Sequence, residues 1–242
     1  MMKIRASQLG KIMTNDRSGK NMGASALTAL RESFIEYHYG RRKEVYSKYL
    51  KKGTEVEEVS IEILSEHDGV MYIKNDERKE NAFIQGECDI AEPDEIIDVK
   101  SSWDLYTFWN AEGPISPTGK LSDYGWQLTA YGWLWGVKNL RLAYVMSDTP
   151  EDVVEGIIYK NALQMEGGDS NPKYESMARR IRKQHTFDDL PVQERVRCFS
   201  FTLDPDNIDK IKARIEMCQA IIRYWEANTL HAPVPKEMLK AV

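Results

Sequence analysis

Several features that mark other protein classes are scarce in this sequence. Only three of its 242 residues are cysteines, too few and too scattered for a disulfide framework or a zinc site. No run of about 18 apolar residues is present, so we expect no membrane span. Residues 1–11 also lack the apolar core of a secretory signal. These absences predict a cytoplasmic protein in a reducing environment.

The motifs of several enzyme classes are missing as well. The four histidines are isolated, and none belongs to an H-x-x-x-H pair. Neither G-x-S-x-G nor G-x-x-x-x-G-K-[ST] occurs, so acyl transfer and P-loop chemistry have no support.

The sequence also lacks an excess of basic residues. It has 33 lysines and arginines against 38 aspartates and glutamates, a net charge of −5 at pH 7. This balance does not exclude nucleic acid, because metal-site acids count against the total and a local basic strip can still bind phosphates. Two basic clusters qualify, within residues 41–52 and 179–183, although such clusters are more often solvated surface.

The most informative segment is residues 86–102, with the sequence GECDIAEPDEIIDVKSS. Asp89 is followed nine residues later by Asp98, and Lys100 comes two residues after that. Apolar residues around Asp98 predict a strand, in which side chains at i and i+2 share a face. Carboxylates and a lysine on one face are costly unless a ligand binds there, and Mg²⁺ takes carboxylate oxygens of this kind. The alternative is a surface hairpin with scattered charges.

An amphipathic helix precedes this segment. Apolar residues at helical spacing predict that it starts near Thr54, and they place Glu57 at the edge of its apolar face. A purely structural role for Glu57 is the alternative, since Thr54-x-x-Glu57 fits a capping box in which the glutamate bonds back to the Thr54 amide. The wet side of the helix carries Glu55, Glu58, Glu62 and Glu66.

A second helix follows the strand. Residues 122–123 can cap it, and it should run to Trp135 and stop at Gly136. Gln127 and Tyr131, four residues apart, lie on one face of this helix. The helix could simply pack as an aromatic-rich core element, but a buried Gln127 amide would still need hydrogen-bond partners.

Asp89, Asp98 and Lys100 together resemble the acid, acid and lysine of the PD-(D/E)XK nucleases. Two positions depart from the usual pattern: Cys88 stands where the family name has proline, and Asp98 stands where glutamate is commoner. Both variations occur within so loose a family. The cysteine count argues against its iron–sulfur members, which clamp their cluster with four cysteines.

The flanking helices carry the resemblance further. Gly53 with Glu57, and Gln127 with Tyr131, occur in the same order around the strand as in the phage-exonuclease and helicase-associated branches of the family. The opening residues 4–10 look like the start of the YqaJ/lambda-exonuclease-like viral recombinases. The ordered set is more specific than any single member and favours that branch.

The resemblance covers roughly residues 50–135 and implies a fold. It is an α/β class with a restriction-endonuclease-like core, in which a central mixed sheet is flanked by helices, with N- and C-terminal helical additions. We expect a single nuclease domain over residues 1–242, with its core at about 50–160 and a C-terminal elaboration at 170–242.

The hydrophobic pattern predicts the individual elements. Helices are expected at 24–39, from 54 onward, at 122–135, after 167–168 and at 208–225. Strands are expected near 70–74, 82–85, 88–91, 95–100, 140–147, 153–159 and 195–203. The strand–helix–strand run over 95–147 predicts a parallel crossover. The apolar stripe of the 208–225 helix predicts a core face or an oligomer seam.

The resemblance also implies a metal-dependent mechanism. Glu57, Asp89, Asp98 and the backbone carbonyl of Val99 would hold one or two Mg²⁺ or Mn²⁺ ions. Such ions activate water and stabilise charge on the scissile phosphate. Lys100 would orient or help deprotonate the attacking water and offset phosphate charge.

Four further residues are candidates for contact with DNA. Gln127 and Tyr131 would touch the DNA backbone or orient the lysine. Ser101 and Ser102 follow the motif strand and would line the entrance to the site, unless they are ordinary loop residues.

The expected function is therefore a metal-dependent exonuclease that hydrolyses linear DNA in phage-type recombination or repair, inside the bacterial host cell. The implied partners are double-stranded DNA with free ends, further copies of the chain in a ring, and a single-strand annealing protein. Two alternatives stay open. One is an endonuclease of the same fold, and the other is a non-catalytic DNA-binding protein on a nuclease-like fold.

Overall fold

Two mixed β-sheets and the helices around them form the structure. In the computed structural model, which describes residues 2–44 and 47–240, the strands are β1 (Ile4–Arg5), β2 (Lys79–Glu80), β3 (Ile84–Gly86), β4 (Ile90–Ala91), β5 (Glu95–Ser101), β6 (Asn139–Val145) and β7 (Val196–Thr202). The α-helices are α1 (Leu9–Ile12), α2 (Ala24–Tyr39), α3 (Lys48–Glu55), α4 (Glu57–Asp68), α5 (Leu105–Trp109), α6 (Asp123–Trp135), α7 (Glu151–Ala162), α8 (Tyr174–Gln184) and α9 (Pro205–Ala227).

The larger sheet has the strand order β4-β5-β6-β7. Its central strands β5 and β6 run parallel, with α6 in the connection between them, while both outer strands are antiparallel to their neighbours. This confirms the parallel crossover predicted for 95–147 and the mixed α/β class. The smaller sheet, in the order β1-β3-β2, pairs the N-terminal strand with the chain just before the motif segment.

Helix α6 has the boundaries that its sequence signals predict. The Ser122 side chain accepts the Gly125 N–H at 3.3 Å, and the helix ends where Gly136 takes a left-handed φ of 72°. Gly132 lets the helix approach the sheet closely, because a Cβ at that position would come within 2.8 Å of the Leu140 side chain. This close packing holds α6, and with it Gln127, against the sheet.

The chain around Glu57 differs from the prediction of one helix starting near Thr54. Two helices, α3 and α4, meet at Val56, whose backbone (φ −108°, ψ 13°) is not helical. Thr54 therefore lies in the last turn of α3, and the capping box with Glu57 does not form. Glu57 is instead the first residue of α4. The glutamates predicted for the wet side are exposed as expected.

Two predicted strands are wrong. Residues 153–159 belong to α7, because Val154 and Ile158 are buried at helical spacing and two acids occupy the favourable first turn. A short apolar run does not by itself separate a strand from a buried helix. Residues 70–74 pair with no strand in the part of the chain that is described, and Met71 and Ile73 there are 86% and 76% exposed.

The larger sheet is covered by helices on both faces. On one face α6 packs against Ile96 and Leu140, in a cluster that also includes α1, α2 and α9. On the other face Ile61 and Leu64 of α4 pack against β5. The stripe of α9 is buried in the first cluster, with Ile211, Ile215 and Cys218 all fully buried. This stripe faces the chain's own core, so the prediction that it forms an oligomer seam is wrong.

No helix in the described ranges 2–44 and 47–240 combines the length and the apolar character needed to cross a membrane.

Candidate active site

A cleft of about 470 Å³ opens where β5 ends, between the start of α4, the 101–103 segment and the start of α6. The motif residues that line it are Gly53, Glu57, Asp89, Val99, Lys100, Ser101 and Ser102. Asp98, Gln127 and Tyr131 lie behind this wall and are buried. The fold therefore gathers all the predicted site residues at one place, in two layers.

Asp98 and Lys100 share one face of β5, as their spacing predicts. Lys100 Nζ lies 2.7 Å from Asp98 Oδ2, and the Asp98 side chain is only 1% exposed. Within the described residues this ammonium is the close polar contact of the buried Asp98 Oδ2. Burial alone would lower the pKa of Lys100, but the charges of Asp98 and Asp89 outweigh it and raise that pKa above its usual range.

Asp89 immediately precedes β4, next to the first residue that pairs with β5. Its carboxylate accepts the Val99 N–H at 2.6 Å. Burial raises the pKa of Asp89 to about 7, with the nearby charge of Asp98 adding to the effect and Lys100 opposing it. The charge of Glu57 raises this pKa further. The three acids are thus close enough to influence one another.

Glu57 reaches the cleft from the N-terminus of α4. Its side chain is 31% exposed, and its carboxylate lies 3.4 Å from Lys74 Nζ. Lys74 was not among the residues predicted for the site. It belongs to the 70–74 segment, whose apolar residues suggested a strand, and no local pattern indicates that this segment runs past α4.

Gln127 and Tyr131 form a short hydrogen-bond chain behind Asp98. Gln127 Nε2 donates to Asp98 Oδ1 at 3.2 Å and to the Tyr131 hydroxyl at 2.9 Å. Burial raises the pKa of the Tyr131 hydroxyl above its usual range, so it stays protonated. The amide thus orients the Asp98 carboxylate. Asp98 and Tyr131 are the hydrogen-bond partners that a buried Gln127 needs. Contact of either side chain with DNA stays a prediction.

The serines after β5 are held by a polar cluster that the sequence did not reveal. The hydroxyls of Ser101 and Ser60 lie 2.8 Å apart, and Ser60 donates to Ser147 at 3.2 Å. The backbone of Ser102 continues the pairing, since its N–H donates to the Val145 carbonyl at 2.8 Å. Both residues line the cleft, and their backbone is fixed rather than free.

The donor set suits a hard cation, although its members are engaged with other partners. Within residues 2–44 and 47–240, no three His, Cys, Asp or Glu side chains are arranged as a ready metal cage. Lys74, Lys100 and the Val99 amide contact the three carboxylates. Carboxylate and carbonyl oxygens are nevertheless the ligands of Mg²⁺. The buried Asp98 Oδ2, which contacts the Lys100 ammonium, is an oxygen that a cation could also bind.

Solved structures of exonucleases have a similar fold. A phage-related exonuclease from Haemophilus somnus 129PT superposes with a TM-score of 0.70 and 26% sequence identity, over 93% of this chain and 96% of that one. An alkaline exonuclease, LHK-Exo from Laribacter hongkongensis, gives a TM-score of 0.59 at 16% identity, over 93% of this chain and 92% of that one. The complex of LHK-Exo with dAMP gives 0.58, with the same identity and coverage. No protein-family model and no curated protein matches the sequence.

Proposed function

We propose that this protein is a metal-dependent DNA exonuclease that degrades linear DNA in phage-type recombination or repair. The observation that carries the proposal is the site itself: Asp98 and Lys100 on one strand face, with Asp89 and Glu57 beside them. The likeness to the phage-related exonuclease, over nearly the whole of both chains, supports both the nuclease assignment and the choice of exonuclease.

In the proposed site, Glu57, Asp89, Asp98 and the Val99 carbonyl would hold Mg²⁺ or Mn²⁺. The ion would supply an activated water and positive charge for the scissile phosphate. Glu57 would then give up its contact with Lys74, a partly exposed pair whose loss costs little. Asp98 is held in place from behind by Gln127, which limits its movement when its partner changes.

Lys100 is the residue that we assign to the chemical step. Its ammonium lies beside Asp98 and lines the cleft, so it can reach both a phosphate oxygen and an attacking water. Because its pKa is raised by the neighbouring carboxylates, it stays charged and acts by offsetting phosphate charge and orienting the water. Positioned charge of this kind usually lowers a barrier more than any other single effect.

Plasmid DNA tests the proposal directly. The protein would be incubated with linearised and covalently closed forms of one plasmid, in Mg²⁺ and in EDTA. We expect loss of the linear form in Mg²⁺ only, with the closed circle intact. Digestion of the circle would indicate the endonuclease alternative, and no digestion of either form would favour the non-catalytic alternative and overturn the proposal.

The expected partners follow from the proposed reaction. Double-stranded DNA with free ends is the proposed substrate. A ring of several copies and a single-strand annealing protein remain proposals, and any ring must use a surface other than the α9 stripe, which is buried.

A further inference from the structure

A second groove, of about 520 Å³, runs between α5 and α8. Trp103 lines both this groove and the candidate active-site cleft. The two depressions therefore adjoin each other at Trp103.

Trp103 is packed against two other rings. Its indole meets the rings of Tyr49 and His185 edge to face, at centroid distances of 4.7 and 4.8 Å. Lys48 Nζ lies 4.5 Å from its centroid. These contacts restrict rotation of the Trp103 ring.

Helix α5 presents unusually large aromatic surface to solvent. Tyr106 and Trp109 are 78% and 79% exposed, although α5 has only five residues. The helix is held by a capping box between Asp104 and Thr107 and by the buried Phe108. Arg197 donates a hydrogen bond to the Trp109 carbonyl at 2.6 Å. Exposed aromatic rings of this kind offer flat faces on which a planar ligand can stack.

Helix α8 supplies positive charge on the opposite side of the groove. Its basic residues face two directions. Arg182 is paired with Glu155 and Glu151 of α7. Arg180 and Lys183, three residues apart, line the groove. The 179–183 cluster is therefore partly solvated surface and partly groove wall, a division that the sequence alone could not show.

The groove also holds two acids. Asp104 caps α5, where it accepts the Thr107 N–H at 2.8 Å, and Asp189 is the other carboxylate of the lining. Arg180 and Lys183 balance these two charges. The groove thus combines an exposed aromatic face with two cations contributed by α8.

We infer that this groove binds a single strand of DNA, with a base stacked on Tyr106 and phosphates beside Arg180 and Lys183. Stacking platforms combined with a basic track are how proteins hold unpaired strands without reading their sequence. The inference deepens the proposed function and rests on it for the choice of DNA. The bases of a duplex are already paired and stacked on one another, so the groove takes an unpaired segment that enters or leaves the cleft.

Fluorescence anisotropy with a labelled 12-nucleotide oligonucleotide in EDTA tests the inference, because no hydrolysis competes with binding. We expect Tyr106→Ala to lower the affinity for the single strand about five- to hundredfold, the usual worth of one stacked base. The double variant Arg180→Gln, Lys183→Gln should flatten the log–log salt dependence by about 1.4, at about 0.7 for each lost phosphate contact. Affinity for a blunt 12-base-pair duplex should stay unchanged in both variants.

Tyr159→Ala and Lys160→Gln are the matched controls, because both residues are exposed on α7 and neither lines the groove. They should bind the oligonucleotide like the parent. An oligonucleotide carrying 5-iodouracil should also crosslink to α5, and crosslinks found only elsewhere would overturn the inference.

The outcomes separate the groove from the proposed function. Parental affinity in Tyr106→Ala and in the double variant would overturn the groove while leaving plasmid digestion intact. If both variants lose oligonucleotide binding as expected but the parent digests no plasmid, the nuclease proposal would be overturned and the groove would stand.

Discussion

Replacing Lys100 by methionine separates the two roles that the structure gives this residue. The lysine balances the charge of Asp98, whose side chain is only 1% exposed, across 2.7 Å. Removing one member of a buried ion pair leaves the other charge uncompensated, at a cost of about 3–5 kcal/mol. Because 26% of the Lys100 side chain is exposed, we expect a loss of about 3 kcal/mol in the free energy of unfolding, at the lower end of that range.

Divalent metal should recover much of this loss. A cation bound to Asp98 and Asp89 compensates the same carboxylates, so Lys100→Met should bind Mn²⁺ at least as tightly as the parent. Turnover should not recover, because the positioned charge at the phosphate is gone, and the rate on linear DNA should fall on the order of a hundredfold or more. In this one variant, metal would then restore stability without restoring turnover.

Urea unfolding in EDTA and in Mn²⁺, together with single-turnover cleavage of linear DNA, measures both effects. Lys74→Met is the matched control for stability, since Lys74 is 41% exposed beside Glu57 and its loss should cost less than about 1 kcal/mol. Unfolding of Lys100→Met at the parental urea concentration in EDTA, or cleavage at the parental rate, would refute the reasoning.

Three further predictions concern metal, pH and the core. Millimolar Mn²⁺ should raise the melting temperature of the parent above its value in EDTA, by mass action, and the Asp98→Asn variant should show a smaller shift. Lys52 is 1% exposed, and burial lowers its pKa to about 8. Between about pH 8 and pH 10.5, the unfolded chain therefore holds a proton that the folded chain has lost. The free energy of unfolding should rise with pH over this range. Lys52→Met should therefore stabilise the protein by about 3 kcal/mol at pH 7 but by much less near pH 10, as urea titrations at the two pH values would show. Ile215→Asp, which buries a charge in the core, should lower the unfolding free energy by about 4 kcal/mol or more at every protein concentration, and a variant that only dissociates in light scattering would contradict the position of α9.

Sequence reasoning succeeded where the determining pattern is local. The shared face of Asp98 and Lys100 follows from the two-residue period of a strand, and the bounds of α6 follow from a serine cap and a glycine stop. The helix predicted at 24–39 is α2, which ends where Gly40 takes the left-handed conformation. Each of these signals lies within a few residues of the feature that it determines.

It failed where tertiary placement decides. The hydrogen bond from Gln127 to Asp98 depends on the close packing of α6 over β5, a distance that no local pattern encodes. The pairing of Glu57 with Lys74 depends on an extended segment that runs past α4 without joining a sheet. Residues 153–159 were misassigned because β-branched apolar residues in a short run fit a strand and a buried helix equally well.

The most direct measurement of the central claim is single-turnover hydrolysis of linear duplex DNA in Mg²⁺ by the parent, Asp98→Asn and Glu58→Gln. Glu58 lies next to Glu57 in sequence but is exposed on the other side of α4, so it controls for the loss of a nearby carboxylate. We expect Glu58→Gln to cut at close to the parental rate and Asp98→Asn to be nearly inactive with a weakened affinity for Mn²⁺. Equal rates in all three proteins, or equal loss in both variants, would contradict a catalytic site built on Asp98.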